Sequence, residues 1–181
     1  MTKLNIGSGY KRYVDYINVD NDANSNPDFL VNLETDDLPF ENDSIKEIKA
    51  YHILEHIGEG YFHLLQEIYR ICESGAIIDI IVPHHFHEVF INDPTHRRPI
   101  TVEGLRLFSK KFNNYDISRQ GSRSTLGLMY NVDFEIIDFS FVFDSFYDDI
   151  IKNNTPEENM RLMRECVNVA IETHIKLMVI K

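Results

Sequence analysis

Two stretches of this chain hold residues whose types and spacing can do chemistry. In the first, an apolar run from Lys3 to Ile6 enters Gly7-Ser8-Gly9, and a second run, Tyr16 to Val19, ends on Asp20, eleven residues after Gly9. Glycine has no side chain and tolerates positive φ, so a strand ending in Gly-x-Gly lets a ligand approach its backbone closely. An acid closing the next strand can accept hydrogen bonds from both hydroxyls of a ribose. In the second stretch, His84, His85, His87, Glu88, Asp93 and His96 share one polar loop that ends at Pro99. Imidazoles titrate near neutrality and can take a proton, and imidazole with carboxylate can hold a divalent metal. The same groups also serve simply to hydrogen-bond a loop into shape.

The elements that must position these residues follow from pattern. Strands are expected at Lys3 to Ile6, Tyr16 to Val19, Phe29 to Leu33 and Ser44 to Ile53. Between Gly9 and the second strand there is room for a turn or two of helix, so the first crossover helix is shortened. Apolar residues at spacings of three and four mark a helix from Tyr61 to Cys72, ended by Ser74-Gly75. Ala76 to Val82 reads as a strand buried on both faces. Thr101 caps a helix to about Lys110, and Asn113 to Leu126, without a period, is read as a mobile flap. Phe134 to Phe143 alternates as a strand, Thr155-Pro156-Glu157-Glu158 is a capping box, and the helix it opens carries Met160, Met163, Val167 and Ala170 on one stripe. His174 to Ile180 closes the chain as a strand antiparallel to Phe134–Phe143. The expected architecture is α/β: a Rossmann-like, doubly wound, mostly parallel sheet with a C-terminal antiparallel strand and its ligand at the carboxyl ends of the strands.

At 181 residues the chain is expected to form a single domain, 1–181. A formal charge of −11 speaks against a nucleic-acid partner, because phosphate backbones are bound by Lys and Arg. Cys72 and Cys166 both fall in expected helices and read as small buried hydrophobes in a reducing compartment. The first strand begins almost at Met1 and no apolar run reaches the length of a membrane span, so neither signal peptide nor membrane is expected and the location is read as cytoplasmic.

Four strand ends together suit the parts of a nucleoside ligand. Gly7 and Gly9 admit an amino-acid tail, Asp20 grips a ribose, Asn32-Leu33 flanks an adenine and Tyr51-His52 forms a floor. An NAD-type site places its acid about 20 residues further on and adds a third glycine, so a dinucleotide is disfavoured. LNIGSG, INVD, LETDDLPFENDSIKEIKAYHILEHI and LLQEIYRICESGAIIDIIVPH are together similar to class I S-adenosylmethionine-dependent methyltransferases of a small type-11-like set, over residues 3–84, with DPTHRRPIT extending the likeness. The resemblance implies S-adenosylmethionine as cofactor, with S-adenosylhomocysteine as product. It implies that Asn5, Gly7, Ser8 and Gly9 cradle the methionine part, that Asp20 with Asn21 holds the ribose, and that Asn32, Leu33, Tyr51 and His52 surround the rest. Asn5 and Asn32 stand where the pattern more often has an acid.

Methyl transfer needs an acceptor aligned with the sulfonium methyl and often a base, and His84, His87, Asp93 and His96 are the candidates on the acceptor side. His52 and His56, four residues apart in HILEH, could pair on a helix face. The preferred reading has His52 end a strand and His56 pack the next turn, and no metal ligands are assigned. Tyr51-His52-Ile53 stands where enzymes that methylate DNA bases carry D/N-P-P-Y/F, so the expected acceptor is a small molecule methylated on oxygen or nitrogen. A methyltransferase-like domain that only binds or regulates is the alternative.

Overall fold

In the computed structural model, which describes residues 2–181, the apolar runs assemble into one seven-stranded sheet in the order β3-β2-β1-β4-β5-β7-β6. The strands are β1 (Thr2–Ile6), β2 (Ile17–Asp20), β3 (Phe29–Leu30), β4 (Ile45–Tyr51), β5 (Cys72–Pro83), β6 (Phe134–Phe143) and β7 (Ala170–Val179). β3, β2, β1, β4 and β5 pair in parallel, with Ile6 opposite Val19 on one side and Ala50 on the other. β7 runs antiparallel between β5 and β6. The order reverses between β1 and β4, so their carboxyl ends diverge and open a crevice where ligands bind in such sheets.

The helices are α1 (Tyr61–Ile71), α2 (Glu88–Asn92), α3 (Val102–Arg106), α4 (Lys110–Ser118), α5 (Leu126–Met129), α6 (Asp148–Asn153) and α7 (Pro156–Glu165). α1 buries Leu64, Leu65, Ile68 and Ile71 in the core with Leu4, Ile6, Ile48, Ile78 and Ile80. Its N-cap is Gly60, where a Cβ would lie 2.0 Å from the Glu34 carbonyl oxygen. The Glu34 carboxylate accepts the Gly58 and Gly60 amides at 2.8 and 3.2 Å, which satisfies orphan donors beside the helix start and sets a negative charge at its positive end. At the other end of α1, Arg70 donates to Glu67 and to the carbonyls of Leu38 and Phe40, and Glu67 accepts the Leu38 amide, which fastens the LPF loop.

Several expectations change in detail. Tyr10–Tyr16 forms turns without the expected helical stub. β3 is a two-residue edge strand with Phe29 and Leu30 exposed, and only Val31 and Leu33 beyond it are buried. The expected helix after Thr101 is two, because the Ser109 hydroxyl accepts the Phe112 amide and caps a new helix, α4. The first part of the supposed flap, 113–118, belongs to that helix, held by buried Asn113, which donates to the Leu107 carbonyl and accepts the Leu128 amide, and 119–125 is turn and loop. α7 starts on the expected capping box but ends at Glu165, so Val167 is exposed in a turn and Ala170 opens β7. Cys72 follows α1 directly as the first residue of β5, buried, its thiol pushed up to about 12 by that burial, whereas Cys166 is exposed after α7. Ser74-Gly75 therefore lies within the irregular start of β5, with Gly75 at φ +84°.

One face of the sheet carries the core. The other is polar and aromatic along β1, β4 and β5. Ile48 and Ala50 are fully buried while Glu47, Lys49 and Tyr51 between them are not. Lys3 pairs with Glu47 at 2.7 Å, Lys49 Nζ sits 4.0 Å from the Tyr13 ring centroid, and the Tyr51 hydroxyl donates to Asp79. The residues between β1 and β2, which form no helix, supply Tyr13 and Tyr16 to this face instead. β5 is accordingly not buried evenly on both faces: Ile78 and Ile80 are, Ile77, Asp79 and Ile81 only partly.

Candidate active site

The crevice between β1 and β4 is a cavity of about 480 Å³ lined by Gly7, Asp20, Asn21, Asn32, Leu33 and Glu34 from one side and by Ile53, His56, Ile57, Gly58 and Arg97 from the other. Gly7 sits at φ +61°, and a Cβ there would lie 2.4 Å from Ile53 Cγ1. The approach of the two strand ends that builds the crevice therefore requires glycine. Gly9, at φ +48°, faces open space. Asp20 is buried, with Oδ2 accepting the Gly9 amide at 2.7 Å and Oδ1 accepting the Asp22 amide at 2.8 Å. Asn32 accepts the Glu34 amide at 3.0 Å through its side-chain oxygen, and that turn presents Leu33 and Glu34.

Five of the ten residues expected around a cofactor thus line one cavity. Ser8 and Gly9 form the turn beside it, and the buried Ser8 hydroxyl has no hydrogen-bond partner. Asn5 is spent elsewhere: its amide donates to the Lys11 carbonyl at 2.9 Å and to Asn18 Oδ1 at 3.0 Å, tying the glycine turn to β2. Tyr51 points to the polar sheet face with Asp79 and lies outside the crevice, because it alternates with the buried Ala50. His52, at φ 52° where β4 ends, turns toward Glu55 and Glu172, and those carboxylates hold its imidazole pKa above the ordinary value.

The four candidates on the acceptor side separate. His84 lines a second cavity of about 340 Å³ with His85, Phe86, Phe139, Phe141 and Met163. Its Nδ1 accepts the Phe86 amide at 3.3 Å, so the neutral ring carries its hydrogen on Nε2 and is a donor. Burial first, then His85 and His87 nearby, lowers its pKa to about 4. His87 is buried as the N-cap of α2, its Nδ1 accepting the Val89 amide and its Nε2 reaching Asp144 at 3.3 Å. Asp93 accepts from the Thr95 amide and hydroxyl, which lowers its pKa. His96 donates from Nδ1 to the Phe90 carbonyl and packs edge-on to His56, with ring centroids 4.7 Å apart. α2 and the turn at Asp93 divide one run of sequence between two cavities.

Glu34 and Arg97 enter the crevice unexpectedly, as does His56, read from sequence as packing the next turn, and Glu55 lies behind them. The HILEH spacing was the available signal for two of these. Glu55 is 1% exposed, and neither carboxylate oxygen has a hydrogen-bond partner.

No protein-family model and no curated protein matches the sequence. The fold has many solved counterparts. A SAM-dependent methyltransferase from Archaeoglobus fulgidus has a TM-score of 0.62 at 17% identity, covering 98% of this chain and 85% of that one. A SAM-dependent methyltransferase from Methanosarcina mazei has a TM-score of 0.56 at 11% identity, covering 99% and 92%. The [4+2]-cyclase SpnF has a TM-score of 0.53 at 13% identity, covering 99% and 75%. The chain therefore has the class I, Rossmann-like fold of S-adenosylmethionine-dependent methyltransferases.

Proposed function

We propose that the chain is one catalytic domain that moves a methyl group from S-adenosylmethionine to an oxygen or nitrogen of a small-molecule acceptor, in the cytoplasm. The observation that carries this reading is the crevice at the β1/β4 divergence, which gathers Gly7, Asp20, Asn21, Asn32 and Leu33 from three strand ends. These residues fit the cofactor: the turn is open over Gly9, Ser8 offers an unpartnered hydroxyl, and Asp20 is an acid at the second strand end. When bound, the cofactor supplies an electrophilic methyl on a sulfonium. Gly7 to Gly9 would hold its amino-acid tail, Asp20 and Asn21 its ribose, and Asn32 with Leu33 its base.

The second cavity suits an acceptor with an apolar body, since phenylalanine and methionine side chains form much of its wall. His84 Nε2–H would donate to a polar atom of that acceptor and orient it. With a pKa near 4 it is a weak base, so the acceptor proton passes to water or to another group. Isothermal titration of the purified protein with S-adenosylhomocysteine tests the cofactor reading, and absence of binding sinks it. The alternative, a binding or regulatory domain, is favoured by the separation of His84, His87, Asp93 and His96, which do not converge on one site. Conversion of S-adenosylmethionine to S-adenosylhomocysteine with a panel of apolar alcohols, phenols and amines separates the two.

A further inference from the structure

We propose that Glu55, His56 and His96 form a binding site for a first-row divalent transition ion at the lip of the crevice. One ligand atom from each of the three lies within 4.8 Å of the other two. An ion held at about 2.1 Å sets its ligands roughly 3–4 Å apart, so binding would draw them together by up to about 2 Å.

Three observations point to a cation. Glu55 is a fully enclosed carboxylate with both oxygens unpartnered, a costly arrangement that an ion relieves. His52 Nδ1 stands 3.6 Å from it, an ion pair too long for a hydrogen bond and made by a half-exposed ring shared with Glu172, so it compensates Glu55 only in part. Next, both imidazoles keep the same nitrogen without a hydrogen bond, that of His96 with Asp93 Oδ2 3.8 Å away. His96 Nδ1–H donates to the Phe90 carbonyl at 2.7 Å, which leaves the lone pair on Nε2. Thr95 Oγ1 gives its hydrogen to Asp93 at 2.6 Å and so accepts from His56 Nδ1–H at 2.9 Å, leaving the His56 lone pair on Nε2 as well. Outer hydrogen bonds of this kind, to a carbonyl and through a hydroxyl to a carboxylate, are what fix the tautomer of metal-binding histidines. Finally, the backbone is braced: the Arg97 amide donates to the Glu55 carbonyl at 2.7 Å, joining the two loops that bring the ligands.

Two imidazoles and one carboxylate suit zinc, manganese, iron or cobalt better than magnesium or calcium, and three protein ligands leave positions open. His56 and Arg97 line the crevice, so an open position there can take an oxygen of an incoming molecule and lower its pKa. That last role rests on the methyl-transfer reading; metal binding itself does not.

The test uses full-length, untagged, chelator-treated protein titrated with Co²⁺, read by visible absorption, with Zn²⁺ as competitor. The expected result is one Co²⁺ per chain, displaced by Zn²⁺, with affinity reduced about tenfold or more in His96→Ala and in His56→Ala. Circular dichroism of each variant checks that it is folded, and Glu55→Gln, which removes the charge but keeps the shape, should also lose the ion. No saturable binding, or binding unchanged in both folded histidine variants, overturns the proposal. S-adenosylhomocysteine binding is measured on the same metal-free sample: its failure with Co²⁺ still bound would remove the methyl-transfer reading and leave the metal site standing.

Discussion

Asp20 Oδ2 accepts the Gly9 amide at 2.7 Å, so the acid at the end of β2 clamps the turn at the end of β1. Two strand ends that approach a ligand separately are thereby one unit. Asp20 also lines the crevice, and in the proposed function it accepts from a ribose there. Hydrogen bonds to a charged group are worth about 1.5–3 kcal/mol.

Asp20→Asn should therefore weaken S-adenosylhomocysteine binding by about 10–100-fold in isothermal titration. The same substitution sets an amide donor against one of two backbone donors, so the melting temperature should fall too. Unchanged affinity would detach Asp20 from the ribose.

Gly7→Ala combines a positive φ with a Cβ 2.4 Å from Ile53 Cγ1. Denaturant unfolding should show a loss of about 2 kcal/mol or more. Adding Ile53→Ala should recover only a fraction of the loss, since the Cβ of residue 53 still lies 2.6 Å from the new methyl and the backbone strain remains.

His84 is 5% exposed, and its folded-state pKa, about 4, lies below the ordinary imidazole value. The unfolded chain therefore binds a proton below about pH 6.5 that the folded chain refuses until about pH 4. Stability is unaffected by this group above pH 6.5 and declines as pH falls across that window, by at most about 3 kcal/mol. Equilibrium unfolding of His84→Gln at several pH values should show a shallower decline than the parent; identical slopes would mean that other groups govern it.

Arg70→Ala should cost about 2–4 kcal/mol, because it strips the guanidinium from the largely buried Glu67 carboxylate and from the Leu38 and Phe40 carbonyls. The double variant Arg70→Ala, Glu67→Gln should be less destabilised than the sum of the singles in chemical denaturation.

Strand ends were legible because β1 and β2 announce themselves: LNI runs into glycines, and INVD stops on an acid. β4, α1 and the capping box of α7 were legible for the same reason, local pattern agreeing with the final fold. Phe29 to Leu33 misled because apolar residues in a short run do not say whether an edge leaves them bare. The histidine loop misled for a deeper reason. Residues 84–96 are neighbours in sequence, but the His87 cap, α2 and the Asp93 turn send His84 to one cavity and His96 to the side of His56, which lines the other. His96 instead meets Glu55 and His56, forty residues earlier, and spacing alone carries no trace of that meeting. Tyr51 failed through parity: one residue along a strand exchanges the crevice side for the opposite face.

The sheet face that bears Lys3, Glu47, Lys49, Tyr51 and Asp79 has a thermal consequence. A sheet wrapped in helices on both sides hides two apolar layers, and their exposure on melting dominates the heat capacity of unfolding. Here charged and phenolic groups stand where one of those layers would be, and exposing polar surface lowers that quantity. Its value per residue should fall below the usual ~12–15 cal/mol/K, giving a broad, shallow stability curve. Such a molecule loses its structure gently with temperature at either extreme, and a ligand seated between β1 and β4 then supplies a larger share of what holds the chain folded.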